Sequence, residues 1–372
     1  MPGLILASVM TKGDNNMRFR FSRGGRQEVA WRKGAIYGQN NRPAPTSTAE
    51  TVDSSELQAT SCRIPPRSIV DELDTPPLSI SQLTWRRFKR HKMALAGVIM
   101  LASLVLYAIA GSFFYTEAYS NYTETGTRLQ IPSIEHPFGT DTIGRDILSR
   151  TIYGGQISLL IGLTAVLVET IVGVFLGAIA GYYGGKLDSL IMRFTEAMLN
   201  IPQIFLLIVM AKFFSGKLPN ITFLGRTFSG SVVVIVFIIG LTSWMYLARI
   251  VRADFLSIKE NEYILAARAT GTPGYQIIFG HILPNAIAPI IVTATLGVAN
   301  AILSEAYISF LGMGVQPPTA TWGNMLEGAY KYIETAPWLW VFPGLLILLT
   351  VLSINFIGDG LRDALDPRSR AV

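Results

Sequence analysis

The amino-acid sequence predicts an all-α membrane protein with six transmembrane helices, on three observations. Half of the 372 residues are hydrophobic and only 15% are charged, whereas a soluble globular protein carries about 25% charged residues. Several apolar runs reach the roughly 20 residues that a spanning helix needs at about 1.5 Å rise each. Basic residues also alternate between the two sides of those runs, as membrane topology demands.

Residues 1–80 are polar, proline-bearing and without sustained periodicity ("GQNNRPAPTSTAETVDSS"), which predicts a disordered cytoplasmic tail. Met10 and Met17 are alternative starts, and the opening "MPGLILASVM" is too short, and lacks the basic flank, for a signal peptide. The flank and first span follow over 81–115, with the basic run "WRRFKRHK" entering "MALAGVIMLASLVLYAIAGSFFY" (93–115). An external loop, 116–156, leads into a core of the remaining spans, 157–357. Its spans are expected at 157–183, 198–214, 231–251, 286–306 and 338–357, before a cytoplasmic tail at 358–372. The run at 198–214 is the weakest, being short, preceded by Arg193 and Glu196, and holding Pro202. Six spans place both ends in the cytoplasm. Fourteen Lys and Arg then fall in inside segments and six in outside loops, which agrees with that orientation.

Composition narrows the function. The single cysteine, Cys62, excludes an intrachain disulfide and a cysteine metal cluster. His91, His136 and His281 lack ligand spacing. The net charge of +6 arises largely in the first forty residues and reads as a cytoplasmic flank rather than a nucleic-acid surface. "GGKL" (184–187) and "GKL" (216–218) lack the first glycine and the Ser/Thr of a phosphate loop. No cofactor is therefore expected on this chain.

Within the spans, Gly173, Gly177 and Gly181 form a small-xxx-small ladder; it is expected to pack against a neighbouring helix. Glu169, midway along the second span, is costly there. It reads as a polar contact in a translocation path, for instance to a substrate amino group, or as a protonated or hydrogen-bonded interhelical residue. Asn300, a second candidate path residue, raises the same question nearer the membrane faces, as do Glu305 and Asn355. In the external segment, Asp141/Arg145 and Asp146/Arg150 at i,i+4 are expected to pair on one helix face, a structural interfacial helix or a partner contact.

Between the fourth and fifth spans lies "EYILAARATG" (262–271). Asn261 can cap it and Glu262 favours the positive end of the helix dipole. Ala266, Ala267 and Ala269 are strong helix formers, Gly271 suits the left-handed position past the end, and Pro273 stops continuation. The smooth face of Ala266, Ala267 and Thr270 would let a partner's groove close on the backbone. The alternative is a helix lying on the membrane, but consecutive Tyr263, Ile264 and Leu265 make no clean apolar stripe.

The longer stretch "EYILAARATGTPGYQIIFGHILPNAIAPIIV" resembles the cytoplasmic signature of permease subunits in bacterial binding-protein-dependent ABC importers, through Glu262, Ala266, Ala267, Gly271, Ile278, Leu283 and Pro284. "HPFGTDTIGRDILSR" (136–150) is similar to the external segment of the dipeptide/oligopeptide branch. "TWRRFKRHKMALAGVIM" (84–100), "SEAYISFLGMGVQPPTATWGNML" (304–326) and "NFIGDGLRDALDPR" (355–368) are similar to its C-type permease. The resemblance covers about 84–372 and implies a type I ABC importer permease fold. It makes 262–271 the coupling helix that inserts into an ATPase subunit, with Ile278, His281, Leu283 and Pro284 supporting the loop. It implies a homologous second permease, two ATPase subunits carrying ATP and magnesium, an external solute-binding protein, and a bacterial inner membrane. Nickel or another small solute is the rival cargo. An ion-coupled secondary transporter would need paired intramembrane acids and inverted repeats, and an enzyme a catalytic constellation; neither pattern is evident.

Overall fold

The computed structural model describes residues 79–366 apart from 215, 224 and 225. The expected disordered tail lies outside the described residues except for its last two positions. Those two begin a helix: Ser79 caps α1 (Ile80–Arg90), accepting the Gln82 N–H, while the Gln82 side chain accepts the Ser79 N–H. Such a reciprocal box satisfies two backbone donors that helix geometry leaves unpaired. His91 then ends α1 and caps α2 (Lys92–Phe114), its Nδ1 accepting the Ala94 N–H at 3.1 Å.

Among the described residues, five helices are long and apolar enough to cross a membrane: α2, α4 (Ile147–Tyr183), α7 (Gly230–Ile258), α9 (Ile287–Phe310) and α11 (Trp338–Leu365). The third span is not the single helix expected at 198–214. It is a pair, α5 (Gly185–Leu199) and α6 (Gln203–Phe214), meeting at 88°. Pro202 supplies the reason, since proline has no N–H and drives the residue before it away from helical geometry. The 12-residue α6 rises about 18 Å, short of a hydrocarbon core of about 30 Å. The all-α class holds, with one short antiparallel hairpin among the described residues, β1 (Ile221–Phe223) and β2 (Arg226–Phe228), in which Thr222 faces Thr227.

Helix α4 also begins ten residues before its apolar run, because Asp146 caps it, accepting the Ser149 N–H at 2.7 Å. The expected loop 116–156 therefore ends at 146, holding the short α3 (Glu117–Asn121). Residues 141–146 are a turn, with Gly139 and Gly144 at φ +75° and +84°, a conformation that interrupts a right-handed helix. Arg145 does pair with Asp141, at 2.6 Å, but around this turn, whose backbone N–H groups at Ile143 and Arg145 also bind Asp141 Oδ1. Asp146 and Arg150 do not pair: Asp146 lies 2.9 Å from His136 Nδ1, and Arg150 donates to Asn121. At the same end, Trp338 Nε1 donates to the Thr140 carbonyl and Phe138 stacks on Phe342.

The most extensive packing joins α4 to α7. A Cβ added at Gly177 would lie 2.6 Å from the Ala248 carbonyl, and one at Gly181 would lie 2.5 Å from Phe255 Cβ. Gly173 is similarly covered by Leu247 and Trp244. The ladder thus does the ordinary work of letting two backbones approach. Earlier along the same helix pair, Ile161, Ala165, Leu207, Ile235, Ile239 and Ile308 form a core shared by α4, α6, α7 and α9.

Candidate coupling surface and translocation cavity

The helix expected at 262–271 forms as α8 (Glu262–Ala269). Asn261 occupies the cap position, but its side chain makes no capping bond; only its carbonyl receives the first N–H groups, from Ile264 and Leu265. The stop is complete. Gly271 stands at φ +79°, its N–H reaching the Arg268 carbonyl while Thr272 N–H reaches Ala267, the Schellman arrangement that satisfies two terminal carbonyls. Nothing lies within 4 Å of a Cβ placed on Gly271, so glycine answers a backbone need and not a steric one.

Ala266, Ala269 and Thr270 are exposed and Ala267 is half-buried, so α8 presents a surface of small side chains. Glu262 is exposed beside them. The opposite face carries Ile264, 0% exposed, packed with Val251, Phe255, Ile277, Ile278 and Ile282. Ile277–Ile282 is wound as a π-helix, with Leu283 N–H reaching back five residues to the Ile278 carbonyl. This widening comes just ahead of Pro284, whose ring disturbs the helix behind it. Of the supporting residues expected from sequence, Ile278 and Leu283 join the apolar stem, whereas His281 and Pro284 stay exposed. The anchors Ile264, Ile277 and Ile282 were not singled out, because their apolar character alone does not distinguish them from Tyr263 or Leu265.

Polar contacts tie this stem to the bundle. Lys259 Nζ donates to the Gly181 carbonyl at 3.1 Å, and the Arg268 guanidinium lies 5.2 Å from the Tyr182 ring centre. Arg252 on α7 holds Asp188 on α5 through two bonds of 2.5 and 2.6 Å, the strong fork-on-carboxylate geometry. Arg268 thus ties α8 to the end of α4, while Lys259 and Arg252 tie the end of α7 to α4 and α5.

A cavity of about 1080 Å³ opens among the helices. Glu169 of α4, Pro202 and Gln203 at the α5–α6 break, Tyr246 of α7 and Asn300 of α9 line it. The two path candidates from sequence, Glu169 and Asn300, therefore share one wall system. Glu169 is 8% exposed and has no hydrogen-bond or ion-pair partner among the described residues. Glu305, also on α9 but outside this cavity, differs. It is 1% exposed, with Ser309 Oγ donating at 2.6 Å and Ser158 Oγ at 3.4 Å. Ser158 in turn accepts the Trp322 N–H, at the start of α10 (Trp322–Met325). Asn355 is half-buried on α11. No group of three metal-ligating side chains occurs among the described residues.

Membrane-length helices surrounding a largely apolar cavity with a few polar residues in its wall, together with a short exposed helix standing on an apolar stem, describe the membrane-embedded subunit of a transporter. The chain belongs to the family of binding-protein-dependent transport system inner membrane components, whose model matches residues 173–371. Residues 79–132 match the N-terminal TM domain of oligopeptide transport permease C. The chain is 42% identical over 287 residues to the dipeptide transport system permease protein DppC of Alkalihalophilus pseudofirmus, covering 77% of this chain and 90% of that one. It is 40% identical over 304 residues to the oligopeptide transport system permease protein OppC of Haemophilus influenzae, covering 81% and 93%. A chain of the MetNI methionine ABC transporter, solved in inward-facing conformations, aligns at 20% identity and a TM-score of 0.46, covering 59% of this chain and 98% of that one.

Proposed function

We propose that this chain is the C-type permease subunit of a bacterial ABC importer for dipeptides or oligopeptides, embedded in the inner membrane with both termini cytoplasmic. The observation that carries the reading is the identity of about 40% across nine-tenths of relatives named as dipeptide and oligopeptide permeases. A homologous permease completes the path, two ATPase subunits bind ATP and magnesium, and an external binding protein delivers the peptide. Closure of the ATPases pushes on α8 at Glu262, Ala266, Ala267, Ala269, Thr270 and Gly271. The exposed small residues leave room for a groove to close over the helix, and Ile264 transmits the push to the stem. Ile278, Leu283 and the Asp188–Arg252 pair carry it into the bundle, where the cavity lined by Glu169 and Asn300 opens alternately to each side.

The test compares cells with and without the gene for labelled dipeptide, tripeptide and nickel uptake. Loss of peptide uptake with nickel uptake retained is the expected outcome. Loss of nickel uptake alone would overturn the peptide assignment while keeping the transporter class.

A further inference from the structure

We infer that Glu169 is a specificity-determining residue of the cavity: it receives a primary ammonium group of the cargo as the cargo passes. The inference rests on the peptide-importer reading and adds to it a named contact and a chemical selection.

Glu169 stands 22 residues into the 37-residue α4, at the depth of the apolar bundle rather than at its rim. A carboxylate there is expensive unless a positive group or hydrogen-bond donors meet it. The structure supplies none from the chain itself, although it lines a cavity of about 1080 Å³. The contrast with Glu305 is informative, because that carboxylate is met by two serine hydroxyls and faces no cavity. Packing around Glu305 closes that site, while the space beside Glu169 is open. On the facing helix Gly297 presents no side chain, so that a Cβ added there would come to 3.5 Å from Glu169 Oε2.

The wall chemistry selects the ligand class. Asn300 and Ser304 on α9 add neutral oxygen acceptors to the same cavity. The other charged wall residues, Arg362 and Asp366, stand on the last turn of α11 and just beyond it. One carboxylate with neutral oxygens is too few anionic ligands for a divalent ion with a protein-built shell. It suits a compact monovalent donor with three N–H groups. Two sources share that chemistry, the α-ammonium of a peptide and the side chain of a lysine within it.

The experiment measures uptake of labelled dialanine, lysyl-alanine and N-acetyl-lysyl-alanine by proteoliposomes holding the complete transporter and its binding protein, with ATP hydrolysis followed in parallel. Glu169→Gln keeps size and hydrogen-bonding capacity but removes the charge. It is expected to slow free-amine cargo about tenfold, the scale of a lost charge-assisted bond, with ATP hydrolysis within about twofold of the parent; Glu169→Asp should recover part of the rate. If the α-ammonium is the group, dialanine and lysyl-alanine slow together. If the lysine side chain is the group, lysyl-alanine and its acetylated form slow and dialanine does not. Unchanged uptake of all three, or equal loss of uptake and hydrolysis with every cargo, overturns the assignment. A parent transporter that carries none of the three overturns instead the peptide reading on which it stands.

Discussion

Two buried acids beside the same helix, Glu305 on α9 and Glu169 facing it from α4, hold opposite solutions to the same problem. Near the C-terminal end of α9, Glu305 is locked by Ser158 and Ser309, and the network runs on to the Trp322 backbone and, through the indole, to the Thr151 carbonyl. At the middle of the helix, Gly297 and Asn300 border a cavity lined by Glu169, which has no partner among the described residues. Beyond that cavity lies the apolar stem that carries α8 with its small residues exposed. One region is saturated and closed, and the other keeps surface and hydrogen-bonding capacity in reserve. Saturation marks structure. Reserve marks a place where another molecule completes the site.

Substitutions can break this contrast in a graded way. Glu305→Ala should be the most damaging, since it strands two buried hydroxyls and leaves a void, at about 4 kcal/mol; the thermal midpoint of the purified protein reads it. Ile264→Ala should cost about 3 kcal/mol of local stability by emptying the stem beneath α8. Hydrogen exchange would detect it as faster exchange confined to 262–283, with the Glu305 region unaffected. Ser158→Ala removes the long bond to Glu305 and the acceptor of the buried Trp322 N–H and should cost about 2 kcal/mol, which places it between the two extremes and tests whether the knot is shared. Ala267→Lys should change stability by less than about 0.5 kcal/mol, as surface substitutions do, yet abolish transport and the recovery of ATPase subunits on purification. Full transport by that variant would remove α8 from the coupling role.

The smallest expected change completes the comparison. Glu169→Gln should shift the thermal midpoint by no more than Ala267→Lys does, because no bond within the chain is lost. A drop as large as that for Glu305→Ala would mean that both acids are structural, and the contrast would fail.

Much of this was legible in the residues themselves. Apolar length located five spans to within a turn or two of their cores, since the hydrophobic requirement of a bilayer is written in consecutive positions. The end of α8 was readable at Gly271 because left-handed termination depends on neighbours in sequence, whereas the Asn261 side chain does not make the expected capping bond. Where local chemistry competed, reading was harder. Asp141 and Arg145 have helical spacing, but Gly144 made their pair a turn, and Pro202 broke a run whose composition alone suggested one helix.

The sequence by itself therefore determined the membrane class, the position of five spans, the form of α8 and the family signature. Only the tertiary structure decided which buried acid is satisfied, because Ser158 meets Glu305 across 147 positions and Trp322 across 164. It also decided that Ile264, and not its equally apolar neighbours Tyr263 and Leu265, anchors α8. Hydrophobic length and cap geometry are local quantities, whereas the saturation of a polar atom depends on whatever the fold brings to it from elsewhere in the chain.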